Sequence, residues 1–297
     1  MSKQASVPTE LAASFVHFAS DIKLAHSIFA LPFAVTGMLL STDKLPTVLQ
    51  CVLLVVCMVC ARSFAMGMNR YIDRDIDKEN PRTMSRKIPS GQLSASAALR
   101  WSMFFGSLFI VCAFYLNTLS GILSLPVLII LLAYSYLKRI SWLTHWYLGL
   151  CLGLAPVAVS IALTGSTNIS VILIGVAVTF WTAGFDILYS LQDREFDSRS
   201  NLYSYPSRFG PWRSVLVSRF CFAVMILALS IAGFFASMGE FYYSGVVLVA
   251  IILSYEHWLV KDVKKMGDSK HINSAFFTAN AWVSVCFYVF VQLDFII

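Results

Sequence analysis

Nine apolar stretches, each close to twenty residues long, dictate most of what this chain can fold into. They cover roughly 22–41, 47–67, 94–116, 119–137, 143–164, 169–190, 212–236, 241–261 and 272–293. A helix crossing the hydrocarbon core of a bilayer needs about 20 mainly apolar residues. The pattern therefore predicts an all-α integral membrane protein with nine transmembrane helices. Composition agrees, because 58% of the residues are hydrophobic and 13% charged, whereas soluble domains carry about 25% charged residues.

The formal charge of +6 does not mark a nucleic-acid partner, because the bases gather in short connections between apolar segments. The connections at 41–46, 117–120, 165–168 and 237–240 are nearly uncharged, while those at 68–93, 138–142, 191–211 and 262–271 are basic. Putting the N-terminus with the basic loops places 21 of the 22 Lys and Arg on one side, Lys44 being the exception. Cytoplasmic loops carry such an excess, so the N-terminus is expected in the cytoplasm and the C-terminus outside. The seven cysteines lie in apolar stretches, which argues against a disulfide framework. Cys57 and Cys60 form a C-x-x-C without polar neighbours and read as small buried hydrophobes. The start, MSKQASVPTELAASF, lacks the features of a signal peptide, so no cleaved targeting segment is expected.

Against this apolar background, Asn69–Gly91 (NRYIDRDIDKENPRTMSRKIPSG) carries four acids and six bases. Asn69, Asp73 and Asp77 are spaced i, i+4, i+8 and share one helical face, which Asp75 and Glu79 leave. A second cluster, YSLQDREFDSRSNLYSYPSRFG from Tyr189 to Gly210, repeats the i, i+4 spacing at Asp193 and Asp197. A single D-x-x-x-D in a cytoplasmic loop reads equally well as a solvated helix whose acids and bases pair. Two copies, after span 2 and span 6, point instead to divalent metal and a polyanion. Carboxylates with a side-chain amide suit Mg²⁺, which usually takes one or two carboxylates plus substrate phosphate oxygens. The five histidines show no ligand spacing.

The repeated loop also suggests a four-helix unit duplicated within one domain over 1–297, with 22–142 and 143–261 as pseudo-repeats and 272–293 as an added ninth helix. Gly149 and Gly153 form a G-x-x-x-G, a spacing that most often serves helix packing. Arg62, on the face of Asn69, and Arg70, Arg82, Arg86 and Lys87 crowd the first cluster, while Lys138 and Arg139 end YSYLKR with Tyr134 one turn inside. Orientation alone explains Arg139, Arg208 and the 261–270 bases. Arg62 and Lys138 read better as phosphate contacts. No P-loop is present.

NRYIDRDID followed by NPRT and RKIPSG resembles the first signature of the UbiA superfamily of intramembrane aromatic prenyltransferases. QDREFD resembles the second signature, and YSYLKR the segment between them. IKLAHSIFALPFA and GFDILYSLQDREFDSRSNLYSYPSRFG look closest to the 4-hydroxybenzoate polyprenyltransferase branch, and within it to the futalosine-route menaquinone enzymes. The likeness runs from about Lys23 to the last helix. Arg70 departs from it where many members carry an acid, Ser135 where a proline is common, and Phe196 where some relatives double the acid.

The resemblance implies nine helices around a central cavity capped by two cytoplasmic Asp-rich loops, in a bacterial inner membrane. It implies that Asn69, Asp73 and Asp77 hold one Mg²⁺ and Asp193 and Asp197 another, the four aspartates being catalytic. Arg62, Arg70, Arg82, Arg86, Tyr134 and Lys138 would bind the diphosphate of an all-trans polyprenyl donor. The acceptor would be a small aromatic acid of the 4-hydroxybenzoate type, serving ubiquinone or menaquinone synthesis, with a futalosine-route naphthoate as the alternative. No obligate protein partner is implied. Lys23 and His26 are candidates for the acceptor carboxylate, although snorkelling of Lys23 and capping or packing by His26 explain them equally well. Asp186, an acid inside an apolar helix, is functional by default, orienting Asn69 or a base or taking the ring proton. Glu256 and His257 are similarly suggestive. Transport of an anionic solute is the competing class, but the charged clusters sit in loops on one side and the spans carry few Gly or Pro breaks.

Overall fold

The computed structural model describes residues 7–22, 31–42, 44–259 and 269–297; Lys23 and His26 lie outside them. The helices are α1 Val7–Asp21, α2 Leu31–Leu39, α3 Val48–Ile72, α4 Arg74–Glu79, α5 Ala95–Leu116, α6 Thr118–Leu137, α7 Thr144–Thr164 and α8 Ile169–Tyr189. A 3₁₀ turn at Ser190–Asp193 leads to α9 Arg194–Arg199, α10 Tyr205–Phe235, α11 Glu240–Leu259 and α12 Ser269–Ile296. No strand occurs among the described residues.

Seven of the described helices are long and apolar enough to cross a membrane, α8 being counted together with its extension to Arg199. Of the other two expected spans, the described part of the first is the nine-residue α2. The eighth is α11, whose last turn is made more polar by Glu256 and His257. Ahead of the seventh, a short helical stretch from Tyr205 breaks at Gly210 (φ 81°, ψ 171°), and the long helix then starts at Pro211, next to the expected 212. Several helix starts are written locally. Thr47 and Gln50 form a reciprocal capping box on α3, and Ser94, Asn168 and Ser204 cap α5, α8 and α10.

The chain divides into two compact units, Met1–Ser27 with Thr47–Tyr136, and Ile28–Pro46 with Leu137–Ile297. In the first, α3 packs along α5, and Phe64, Met68 and Ile72 meet Leu128 of α6. The helix α1, which the apolar pattern did not announce, sets Phe18 and Ile22 against Leu93, Ala97 and Ala98. Trp101 Nε1 donates to Ser14 Oγ across that contact at 3.2 Å. In the second unit α8 lies between α7 and α10 and is buried along most of its length. Lipid offers no hydrophobic reward for helix association, so close packing must supply it. A Cβ on Gly149 would stand 2.1 Å from the Thr179 carbonyl oxygen, and one on Gly153 2.4 Å from that of Gly175. The G-x-x-x-G is thus the surface on which α7 meets α8.

Candidate active site

The first aspartate cluster is built where α3 stops. Asp73 takes φ −88°, ψ 2°, ending α3 and starting the six-residue α4. The ladder survives the break, since the Asp73 N–H donates to the Asn69 carbonyl at 2.9 Å and the Asp77 N–H to that of Asp73 at 2.8 Å. Asn69, Asp73 and Asp77 therefore keep the common face that the spacing predicts, while Asp75 and Glu79 are exposed. Asp73 and Asp77 are 1% and 3% exposed. Burying ionised carboxylates is costly unless they are paired and hydrogen-bonded, and each has a partner. Asn69 Nδ2 donates to Asp73 Oδ2 at 2.9 Å, and Arg86 Nη1 reaches Asp77 Oδ2 at 2.6 Å.

The remaining bases of this cluster take different places. Arg70 is buried and turns toward α1, its Nε 3.4 Å from the Asp21 carbonyl and its Nη1 donating to Asn69 Oδ1 at 3.2 Å. Asp21 in turn accepts the Lys87 N–H at 3.0 Å, so α1 fastens both ends of the loop. Arg62 has a buried Nε with no hydrogen-bond partner among the described residues. Arg82 is exposed, and its backbone N–H donates to Asn80 Oδ1 at 2.9 Å. Tyr134 is half-buried in the last turn of α6.

The second cluster repeats the first in backbone and in sequence. Asp193 takes φ −95°, ψ 0° and starts the six-residue α9. Its REFD matches the RDID of α4. Asp197 lies close enough to Asp193 and Lys138 to feel their charges. The chain then turns at Asn201, whose φ of 52° is one that Asn tolerates. It is held on the way back by the Leu202 N–H on the Asp197 carbonyl at 2.9 Å and the Tyr203 N–H on the Lys138 carbonyl at 2.7 Å. Asp186 is paired with a residue that sequence spacing did not single out. His145 Nδ1 lies 2.7 Å from Asp186 Oδ2, and its Nε2 accepts the Tyr205 N–H at 3.1 Å.

Each cluster offers two carboxylates, with an amide added in the first. Among the described residues no group of three or more His, Cys, Asp or Glu side chains comes together so as to hold a metal ion. Open sets of hard oxygens suit Mg²⁺, which keeps positions for water and phosphate. Glu256, also raised by the sequence, is buried elsewhere in the second unit. Its Oε1 accepts from Asn280 at 3.3 Å, and Asn280 accepts from Trp181 Nε1 at 2.8 Å.

The UbiA prenyltransferase family matches residues 30–281. A 4-hydroxybenzoate octaprenyltransferase of Francisella tularensis subsp. tularensis is 27% identical over 264 residues, covering 88% of this chain and 89% of that protein. One from Janthinobacterium sp. is 28% identical over 239 residues, covering 80% and 82%. Among solved structures, a UbiA homolog from Aeropyrum pernix K1 superposes with TM-score 0.81 at 28% identity over 92% of this chain and 99% of that one. A UbiA homolog from Archaeoglobus fulgidus bound to DMAPP and Mg²⁺ gives TM-score 0.72 at 20% identity, over 93% and 99%, a likeness of fold.

Proposed function

The chain belongs to the UbiA prenyltransferase family, and on that premise we propose that it transfers a polyprenyl group from a polyprenyl diphosphate to a ring carbon of a small aromatic acid of the 4-hydroxybenzoate type. The observation that carries this reading is the pair of matched aspartate helices, Asp73 and Asp193 at the same backbone turn and each followed by an R-x-x-D helix. The octaprenyltransferase relatives support the acceptor class and a long isoprenoid donor. Both aspartate loops are assigned to the cytoplasmic face by the distribution of Lys and Arg, in a nine-span bundle of the bacterial inner membrane whose two halves are pseudo-repeats.

We assign Asn69, Asp73 and Asp77 to one Mg²⁺, and Asp193 and Asp197 to a second. When bound, Mg²⁺ supplies positive charge to the diphosphate oxygens as the allylic C–O bond breaks. The residues of the chain do the rest. Lys138, whose carbonyl is tied to the end of the second loop by the Tyr203 N–H, and Arg86, beside Asp77, are assigned to neutralise the departing diphosphate. Fixed cations of this kind cost no reorganisation during the reaction. Arg62, Arg82 and Tyr134 complete the assigned diphosphate contacts, and Arg70 acts by holding Asn69. The apolar spans keep water from the allylic cation until the electron-rich ring attacks it and loses its proton. Asp186 is assigned to the acceptor side, with Lys23 and His26 for the acceptor carboxylate.

The test uses membranes from cells expressing the chain, a labelled polyprenyl diphosphate and 4-hydroxybenzoate, with Mg²⁺ or with EDTA. Metal-dependent formation of prenylated 4-hydroxybenzoate is expected. Product only with a futalosine-route naphthoic acid keeps the chemistry and replaces the acceptor. Absence of diphosphate release with every acceptor refutes the proposal.

A further inference from the structure

The imidazole of His145 makes two hydrogen bonds that together fix its protonation and its task. A backbone N–H can only donate, so the nitrogen facing Tyr205 must be an acceptor. Nε2 is therefore unprotonated, and the proton sits on Nδ1, directed at Asp186 Oδ2 2.7 Å away. His145 is only 2% exposed, so losing it would leave a carboxylate oxygen and a backbone N–H short of partners. Either loss is expensive where water is scarce.

The accepted N–H belongs to the residue that closes the second aspartate loop. Tyr205 begins α10, and Ser204 just before it caps that helix. Ser204 Oγ accepts the Ser207 N–H at 3.3 Å, Ser207 Oγ donates to the Leu202 carbonyl at 3.2 Å, and the Leu202 N–H donates to the Asp197 carbonyl at 2.9 Å. A displacement of the 204–205 backbone thus pulls on a chain of bonds that ends on Asp197. Trp142 and Trp146 pack on the Tyr205 ring, each at 5.8 Å between centroids, and shield the junction. Within α9 the Asp197 carbonyl holds this return by accepting the Leu202 N–H at 2.9 Å, and Arg194, Glu195, Ser198 and Arg199 are exposed.

We propose that His145 is a positioning residue, a clamp from α7 and Asp186 of α8 onto the Tyr205 backbone that keeps Asp193 and Asp197 set for the metal-diphosphate. The purpose of the clamp rests on the function proposed above; its mechanical part does not. A glutamine amide presents a donor and an acceptor about as far apart as the two ring nitrogens, so His145→Gln can keep both bonds. His145→Phe keeps the ring volume and neither bond.

The first readout is limited trypsin digestion of the purified protein without ligands. Arg194 and Arg199 report the second loop, and the exposed Arg82 reports the first. Losing one such bond shifts a local opening equilibrium by about tenfold. His145→Phe should therefore speed cleavage at Arg199 about tenfold and leave Arg82 unchanged, with His145→Gln matching the parent. The second readout is Mg²⁺ titration of prenyl transfer. His145→Phe should raise half-saturating Mg²⁺ by about tenfold, with kcat at saturating Mg²⁺ within about threefold of the parent, and His145→Gln should restore the parent value. Equal acceleration at Arg82 and Arg199 would mean a general loss of fold and overturn the clamp. So would unchanged Arg199 cleavage in His145→Phe, or a His145→Gln protein as loose as His145→Phe. Selective loosening at Arg199 in a chain that transfers no prenyl group would support the clamp and refute the assigned function alone.

Discussion

Asp73 and Asp193 share a backbone conformation and each starts a six-residue helix, so the same substitution at each asks one question twice. Alanine is a poor probe at Asp73, because it would strand the Asn69 amide that donates to it. Asparagine keeps the volume and an acceptor oxygen and removes the charge. Asp73→Asn and Asp193→Asn are each expected to lower prenyl transfer by about 10²–10³-fold, the usual effect of losing one electrostatic stabiliser. Elution from a sizing column should stay at the parent position. Activity within a few-fold of the parent in both would remove the aspartates from the machinery. The shared face of Asn69, Asp73 and Asp77 was legible in the i, i+4 spacing. The turn of Arg70 toward Asp21 was not, because 49 residues of chain separate them.

At the scale of elements, the contact between α7 and α8 is the most exacting. A methyl group on Gly149 would meet the Thr179 carbonyl, a backbone atom that cannot swing aside. Overpacking of this kind costs about 1–3 kcal/mol. Gly149→Ala should lower the midpoint of thermal unfolding in detergent by several degrees, and a midpoint equal to the parent's would show that the two helices can part there freely. Because α7 carries His145 and α8 carries Asp186, the same substitution should also raise the Mg²⁺ requirement. The long helices of this chain were readable from apolar runs, and the ends of α5 to α8 fall within one residue of the reading, whereas α3 runs on past 67 to Ile72. The exceptions have physical causes. Pro211 does start the long part of α10, after the break at Gly210, while Ser204 and Pro206, a capping residue and a first-turn proline, start a short helical stretch before it that the apolar run did not announce. The helix α1 is too short and polar to register as a span, and it is visible only as the partner of Trp101 and Phe105.

For the whole molecule, the distribution of bases makes a prediction about sidedness. Thr167, exposed between α7 and α8, should face outward, and Ser198, exposed on α9, should face the cytoplasm. In a chain whose seven natural cysteines are replaced, a membrane-impermeant maleimide should label Thr167→Cys in intact cells. Ser198→Cys should react only after permeabilisation. The reverse pattern would invert the protein and take both aspartate loops out of the cytoplasm.

By itself the sequence determined the helical class, the ends of α5 to α8, the shared face of Asn69, Asp73 and Asp77, and the family. All of these rest on local periodicity or on short motifs, and physics over a few turns is enough to read them. Tertiary structure decided which bases neutralise which acids, where α7 and α8 touch, and that His145 joins Asp186 to Tyr205. Those pairings span 41 and 60 residues. They exist because an ionised or polar group buried between helices must find a partner wherever the fold brings one, and no spacing along the chain encodes that choice.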